Sequence, residues 1–195
     1  MIRPYEPRDL EALYDICLRT GAAGRDATDL MAEPRLLGDL FVAPYAVLEP
    51  EHAFVVDDDA GSVGGYVVGA ADTRAFEARC EAEWWPAVRT RYPEGNGEGL
   101  DRLFIAHLHT GDVAPAEIVE RYPSHLHIDL LPPFQAGGWG RRLLARLFDA
   151  LRDAGSTGVH LSMSTANQRA AGFYRHLGMT ELAGDDRTIW FGQAL

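Results

Sequence analysis

Residues 135–144 read QAGGWGRRLL, three glycines around a tryptophan followed by two arginines and the start of an apolar helix pattern. Small residues let unpaired backbone N–H groups approach an anion at the positive end of a helix. The run SHLHIDLLP (124–132) directly precedes this stretch and alternates polar and apolar residues, which is typical of a strand. The sequence therefore predicts a strand, an anion-binding turn and a helix in immediate succession.

The residues around this glycine turn disfavour two common nucleotide sites. A P-loop requires G-x-x-x-x-G-K-[ST], and neither Lys nor Ser/Thr stands at the required place. A dinucleotide fingerprint requires G-x-G-x-x-G and an acidic residue roughly 20 positions later. Here Leu143 takes the place of the third glycine, and the next strand candidate, VHLSM (159–163), ends without Asp or Glu. The anion held by the turn is therefore expected to belong to another ligand.

Hydrophobic periodicity predicts the elements on either side of the turn. Predicted strands cover residues 2–5, 53–57, 63–71, 103–109, 124–132, 159–163, 179–182 and 188–191. Predicted helices cover residues 9–20, 35–41, 72–92, 115–122 and 167–177, together with one that runs from the turn to Gly155. The unit from 124 to 163 is a βαβ unit, which we expect to be parallel and right-handed.

Two segments resemble the signatures of the GNAT superfamily of N-acetyltransferases. From Gln135 the turn reads Q-x-x-G-x-G, and NQRAAGFYRHLGM (167–179) fits N-x-x-A-x-x-F-Y-x-x-L-G-M. Alone, the second segment is equally well explained as an apolar helix face, but its spacing from the first favours the resemblance. The resemblance implies an α/β (α+β) fold with a mixed, splayed central sheet of about six to seven strands flanked by helices. We expect one domain over residues 1–195, with an acetyl-CoA-binding core at about 124–180.

The resemblance also implies roles for individual residues. Backbone amides of the turn would hold the pyrophosphate of acetyl-CoA, which is a cosubstrate, and no metal is implied. Phe173 would pack under the cofactor arm, Asn167 would lie near it, and Tyr174 would point its hydroxyl at the thioester sulfur. The expected acetyl-CoA-binding residues are Leu130, Leu131, Gln135, Ala136, Gly137, Gly138, Trp139, Gly140, Arg141, Asn167, Phe173 and Tyr174.

A narrower resemblance covers residues of about 48 to 93. LEPEHAFVVDDDAGSVGGYVVGAADTRAF (48–76) and EWWP (83–86) are similar to the acetyltransferase-like domain at the C-terminus of animal O-GlcNAcases and to free-standing bacterial relatives of it. The animal domain lacks a good Q-x-x-G-x-G turn, whereas this chain has one, which favours acetyl-CoA binding. Within EWWP, we expect at least one of Trp84 and Trp85 to be core, and lining of the acceptor pocket is the alternative.

The strand at 124–132 carries the candidate catalytic base. Leu126, Ile128 and Leu130 lie on one face, and His125, His127 and Asp129 lie on the other. In the GNAT interpretation the polar face points to the place where the sheet splays. An alkyl ammonium with a pKa of about 10 must lose a proton before it attacks. His127 and Asp129 are both candidates to accept it, a β-bulge would exchange the two faces, and Tyr174 is expected to protonate the departing thiolate.

Two other functions compete with acetyl transfer. His125, His127 and Asp129 are also a ligand set that a zinc hydrolase would use, with His107 and His109 on the strand predicted at 103–109 as further ligands. That hypothesis explains neither the glycine turn nor the segment 167–179, so it ranks lower. A non-catalytic acyl-CoA-binding or protein-interaction module of the same fold is the second alternative.

Composition narrows the class of partner. The 195 residues carry a formal net charge of −11, which disfavours nucleic acid and favours a cationic substrate such as an amine. No apolar run approaches the roughly 20 residues of a membrane span, and the N-terminal residues do not resemble a signal peptide. Cys17 and Cys80 lack disulfide or metal spacing. We therefore expect a cytoplasmic enzyme with an amine substrate and no membrane partner, and a homodimer is compatible with the sequence.

Overall fold

The computed structural model describes residues 1–58, 61–111 and 113–195. Its strands form one seven-stranded sheet in the order β1-β2-β3-β4-β5-β7-β6. The strands are β1 (Ile2–Pro4), β2 (Ala53–Asp57), β3 (Val63–Ala70), β4 (Ser124–Leu130), β5 (Gly158–Ser164), β6 (Thr180–Gly184) and β7 (Thr188–Ala194). The predicted mixed α/β sheet is confirmed, with its largest expected number of strands.

Helices cover both faces of this sheet. In the described part of the chain they are α1 (Leu10–Thr20), α2 (Leu36–Phe41), α3 (Ala43–Leu48), α4 (Thr73–Glu83), α5 (Trp85–Arg91), α6 (Gly99–Thr110), α7 (Ala116–Arg121), α8 (Trp139–Asp153) and α9 (Gln168–His176). Two buried clusters result, one containing α1 to α6 side chains and the other containing α8 and α9 side chains. Period-two alternation distributes the strands between them: Val55 belongs to the first cluster and Val56 to the second.

The centre of the sheet opens between β4 and β5. These two strands are parallel and are joined through α8, so the predicted βαβ unit is confirmed. They pair only at Ser124 with Val159 and at His125 with His160, and the rest of β4 has no register with β5. On its other side β4 pairs with β3 without a register shift, from Gly65 opposite Leu130 to Ala70 opposite His125. The face assignment of β4 therefore stands without the bulge that would have reversed it.

The strand predicted at 103–109 is wrong, because this segment lies inside α6. Its buried apolar residues Ile105 and Leu108 are three positions apart, which is a helical spacing, and Gly111 ends the helix in the left-handed region at φ 64°. These seven residues, apolar side chains and histidines, fit both the strand period of 2 and the helix period of 3.6. Burial of one face of the segment then favours the helix. The histidines of this segment consequently lie on a helix.

The helix predicted at 72–92 is divided in two. Asp72 begins α4 as expected, since its side chain accepts a hydrogen bond from Ala75 N at 2.9 Å. Trp84 then leaves the helical path, and Pro86 lies in the first turn of α5, where its missing N–H costs no hydrogen bond. Pro44 likewise lies in the first turn of α3, so the proline that we expected to interrupt the chain instead lies at the start of a helix.

Candidate functional site

The glycine turn has the backbone geometry of an anion site. Gly137 and Gly138 have φ values of 75° and 76°, in the left-handed region that favours glycine. A Cβ built on Gly138 would meet no atom within 4 Å, so the space beside it is open, and α8 begins at the next residue. An anion there would meet amides at the N-terminus of a 15-residue helix. The turn fits a pyrophosphate on geometric grounds.

Side chains on both sides hold this turn in place. Gln135 Nε2 donates to the carbonyl of Leu130 at 2.7 Å, and Arg169 of α9 donates to Gln135 Oε1. Leu131 N donates to Gly64 O at 2.9 Å. The Leu130 carbonyl and the Leu131 amide are therefore already engaged within the protein. Any main-chain contact of these two residues with a cofactor arm would use their other backbone groups.

The remaining residues predicted to bind acetyl-CoA surround α8 and α9. A Cβ on Gly140 would lie 2.9 Å from Phe173 Cζ, so glycine is what lets these two helices approach at this point. Trp139 packs partly buried against the second core cluster, with the Arg142 guanidinium 4.2 Å from its ring centroid. Asn167 begins α9, because its side chain accepts from Ala170 N at 3.1 Å.

His125 is fixed as a neutral ring. The Thr73 hydroxyl donates to Pro123 O at 2.7 Å, so it must accept the hydrogen on His125 Nδ1 at 2.9 Å. The other nitrogen, Nε2, then accepts from the Tyr45 hydroxyl at 2.8 Å. Burial lowers the His125 pKa well below its ordinary value, with smaller effects of His127 and His160. Both ring nitrogens are thereby occupied within the protein.

His127 lies against an aromatic wall. Its ring centroid is 5.2 Å from that of Tyr45 and 5.7 Å from that of Phe41, and Phe41 in turn contacts Phe104 at 5.7 Å. Burial lowers the His127 pKa to about 4, and the nearby His107 and His160 add to the effect. A group with that pKa is a weak proton acceptor near neutral pH. The electrostatics therefore disfavour His127 as the base.

Asp129 has the properties that a base at neutral pH requires. Burial raises its pKa to about 6, although hydrogen bonds from Tyr66 and Thr20 act in the opposite direction. Tyr66 Oη donates to Asp129 Oδ2 at 2.5 Å. As a whole residue, Asp129 is half-buried rather than fully enclosed. Of the two candidates that the sequence left open, the electrostatics favour Asp129.

Tyr174 lies in α9 with its side chain buried. Its ring is 5.4 Å from the ring of Phe173 and 5.5 Å from that of Phe191. Burial raises the Tyr174 pKa, and the negative charge of Asp129 raises it further. The phenol therefore keeps its proton near neutral pH and is able to donate it.

The geometry required by the zinc hypothesis is not found. Among residues 1–58, 61–111 and 113–195, no three His, Cys, Asp or Glu side chains gather in a way that would hold a metal ion. His109 lies on α6, where its Nε2 is 2.9 Å from Tyr92 O. With His125 saturated by Thr73 and Tyr45, the proposed ligand set does not converge.

Trp84 belongs to a different cavity from the predicted site. A cavity of about 610 Å³ is lined by Trp84 together with Tyr14, Asp39 and Tyr92, and none of the predicted catalytic or acetyl-CoA-binding residues lines it. Trp84 Nε1 donates to Asp39 O at 2.9 Å. Trp85 packs against the first core cluster, as expected for one of the pair.

The sequence did not single out Tyr66, Tyr45 or Thr73. Each contacts a polar residue of β4 from 52 to 80 positions away. Tyr66 stands in the run GGYVVG, which the sequence already predicts to be a strand. Its position opposite Asp129 follows only from the register between β3 and β4, which the sequence does not show.

A mixed sheet that opens between two parallel strands, with a glycine turn leading into the helix that joins them, is the arrangement of an acetyltransferase of the GNAT type. The family model described as "Acetyltransferase (GNAT) family" matches residues 25–179, and the chain belongs to this family. The resemblance inferred from the two sequence signatures is confirmed.

Individual relatives agree with this membership. The crystal structure of SsHAT is 44% identical, has a TM-score of 0.91, and the match covers 100% of this chain and 97% of that one. Protein O-GlcNAcase from Rattus norvegicus is 26% identical over 186 residues, 93% of this chain, and this chain spans only 20% of the length of that relative. The ribosomal-protein-alanine N-acetyltransferase from Brucella melitensis shares the fold at a TM-score of 0.56 and 18% identity, covering 100% of this chain and 99% of that one.

Among the described residues, no helix combines the length and apolar character needed to cross a membrane.

Proposed function

We propose that this acetyltransferase uses acetyl-CoA and transfers the acetyl group to a primary amine, of a small molecule or a peptide, by direct attack in a ternary complex. The observation that carries the proposal is the glycine turn at the start of α8, with its left-handed residues and open flank, in a chain that belongs to the GNAT family. The proposed proton acceptor, Asp129, lies on β4 before the turn, and the proposed proton donor, Tyr174, lies on α9, where burial and the charge of Asp129 raise its pKa.

The glycine turn is the proposed grip on acetyl-CoA. The amides of residues 136–141 would bind the pyrophosphate, with open space beside Gly138 to receive it. Asn167 and Phe173, at the start and in the middle of α9, would lie along the arm, and Leu130 at the end of β4 and the following Leu131 would contact it. The acetyl-CoA supplies an activated thioester, and the protein supplies position and proton transfer.

The proposed reaction needs no covalent enzyme intermediate. Asp129 takes a proton from the bound ammonium, directly or through one water, and the neutral nitrogen attacks the thioester carbonyl. The new C–N bond forms as the C–S bond breaks, backbone N–H groups near the opening stabilise the developing oxyanion, and Tyr174 donates its proton to the leaving thiolate. The attacking nitrogen loses its second proton to solvent as the amide forms, and Asp129 passes the proton that it accepted to the Tyr174 phenolate. Both side chains then end in their starting protonation states, and each turnover releases one proton to solvent.

The proposed acceptor is an amine in a reducing compartment such as the cytoplasm. The net charge of −11 attracts ammonium groups and repels nucleic acid, and both cysteines are free and buried. A homodimer is a further proposal, which light scattering of the purified chain tests.

Two measurements test the proposed function. Calorimetric titration with acetyl-CoA should give a binding heat, and a panel of small amines and lysine peptides should release thiol from acetyl-CoA. The chain contains no lysine, so acetylated lysine detected in the assay must come from the added acceptor. If acetyl-CoA gives no binding heat and no thermal shift, the chain is better explained as a protein-interaction module. If it binds acetyl-CoA but acetylates no amine of the panel, it is better explained as a non-catalytic acyl-CoA-binding protein.

We predict that Gly138→Ala weakens acetyl-CoA binding by about tenfold or more. The new Cβ would stand in the open space beside the turn and would disfavour the left-handed conformation that aims the amides. Calorimetric titration with acetyl-CoA measures the change.

Gly155→Ala is the matched control for this prediction. Gly155 follows the C-terminal end of α8, has φ 87°, and also has no atom within 4 Å of a built Cβ. Both variants should lose about 1–2 kcal/mol in the free energy of unfolding, because both place alanine in the left-handed region. Equal acetyl-CoA affinity in the two variants would contradict the role of the turn.

A further inference from the structure

We propose that Tyr66 is the positioning residue for Asp129: its hydroxyl holds one carboxylate oxygen so that the group faces the reacting amine in its charged form. The inference rests on the proposed function and deepens it. Tyr66 and Asp129 are direct partners in the antiparallel register of β3 and β4. The hydroxyl donates to Asp129 Oδ2 at 2.5 Å, and the tyrosine side chain is 0% exposed.

The tyrosine is itself held rigidly. It is among the largest fully buried side chains and belongs to the first core cluster, with Val55 as its partner on β2. Cys17 of α1 lies beside the hydroxyl and influences its pKa. A phenol has two side-chain torsions, and packing from a helix and two strands leaves neither free. The orientation of the carboxylate therefore follows from the packing of the core.

The groups that face Asp129 come from every element packed against it. They are Tyr66 on β3, Cys17 and Thr20 on α1, Tyr174 on α9 and His127 on its own strand. Thr20 has a single hydroxyl proton, which is also shared with Ile16 O at 2.7 Å. Within the part of the chain that the structure describes, no cationic side chain acts on the pKa of Asp129. Tyr66 is consequently the main donor that stabilises the charged carboxylate against burial.

Loss of the hydrogen bond from Tyr66 should change the pKa of Asp129 in a predictable direction. Because Tyr66 stabilises the charged carboxylate, its removal raises the Asp129 pKa, and the base is then protonated over a wider range of pH. The acid limb of kcat/KM, expected at about pH 6 in the parent, should move upward by about one to two pH units in Tyr66→Phe. At pH 6 the kcat/KM of the variant should be lower than that of the parent by up to about 10-fold to 100-fold, and it should recover as the pH rises.

Tyr14→Phe is the matched control. Tyr14 Oη also donates at 2.5 Å to a buried carboxylate, that of Asp39, which additionally accepts from Arg91 at 2.8 Å and from Tyr92 at 3.0 Å. The same hydroxyl is removed in both variants, but Asp39 is not part of the proposed chemistry. Tyr14→Phe should leave the acid limb where it is in the parent.

The experiment compares pH profiles of kcat/KM for the parent, Tyr66→Phe, Tyr14→Phe and Asp129→Asn, with acetyl-CoA and the best amine of the panel. The carboxyl ¹³C signal of Asp129 is titrated in the same proteins, a readout that does not need turnover. Incorporation of fluorotyrosine at position 66, which is a stronger donor, should move the limb and the titration to lower pH. This second substitution keeps the core packing even if Tyr66→Phe folds poorly.

The outcomes separate this inference from the proposed function. An upward shift in Tyr66→Phe, absent in Tyr14→Phe and matched by the carboxyl titration, supports it. If Asp129→Asn loses the limb while Tyr66→Phe keeps it unmoved, the role of Tyr66 is overturned and the base assignment stands. If Asp129→Asn retains the limb, both are overturned.

Discussion

Replacement of Tyr174 by phenylalanine is expected to lower kcat by about 100-fold to 10,000-fold, the usual contribution of a positioned proton donor. The affinity for acetyl-CoA should change little, because the ring and its contacts with Phe173 and Phe191 are kept. Burial and the charge of Asp129 hold the proton on the phenol near neutral pH. Thiol release measures kcat, and calorimetric titration measures the affinity.

The choice of acyl donor makes this prediction diagnostic. A general acid matters most when the leaving thiolate is basic, so an acetyl thioester of a more acidic thiol should restore much of the rate in Tyr174→Phe. Tyr122→Phe serves as a control, because Tyr122 is also buried and packs beside Gly158 and Gly192 in the core. Undiminished turnover of Tyr174→Phe with the best amine would remove the tyrosine from the mechanism.

The unit from β4 to β5 was predictable because several local signals agree within it. Strand alternation, left-handed glycines and the apolar stripe of α8 each act over a few residues, and all three lead to the same structure. Leu143, Leu147 and Leu151 are buried and repeat at the helical period, so the sequence alone identifies the face of α8 that packs against the sheet. The glycine turn, where we propose that acetyl-CoA binds, is therefore the part of the candidate site that the sequence predicts best.

The helix α6 shows where such local signals fail. The run LFIAHLH has too few residues to separate a period of 2 from a period of 3.6, and leucine and alanine favour helix when the other face is solvated. Its burial depends on α2, which lies far away in the chain, as well as on the neighbouring α5. Tertiary packing, which the segment itself does not encode, decides between strand and helix there.

The catalytic environment could not be predicted for a related reason. His127 and Asp129 are two positions apart on one strand face, and nothing local distinguishes them as bases. The difference arises from what surrounds each group: aromatic rings around the imidazole, and the hydroxyl of Tyr66 from 63 positions away on the carboxylate. Burial lowers the pKa of the imidazole and raises that of the carboxyl, so the same enclosure disfavours His127 and favours Asp129 as the proposed base.

Asp129→Asn should lower kcat/KM by about 100-fold or more near pH 7 and abolish the acid limb at about pH 6. Asparagine matches aspartate in shape and still accepts from Tyr66, so the fold is kept, but it cannot take a proton from an ammonium. The amine must then arrive already neutral from solvent. For an amine with a pKa of about 10, the rate of the variant should rise steadily with pH up to that value.

Amines of lower pKa separate this explanation from simple damage to the site. An acceptor with a pKa near 7 is largely neutral at pH 8, so the defect of Asp129→Asn should nearly vanish with it, whereas a distorted site would lose activity with every amine. His127→Asn should retain the acid limb, because a histidine with a pKa of about 4 is not the group that titrates there. A limb that disappears in His127→Asn and persists in Asp129→Asn would exchange the two assignments. Burial shifts the pKa values of His127 and Asp129 in opposite directions, so the amine series tests the effect of burial on both groups as well as the role of Asp129.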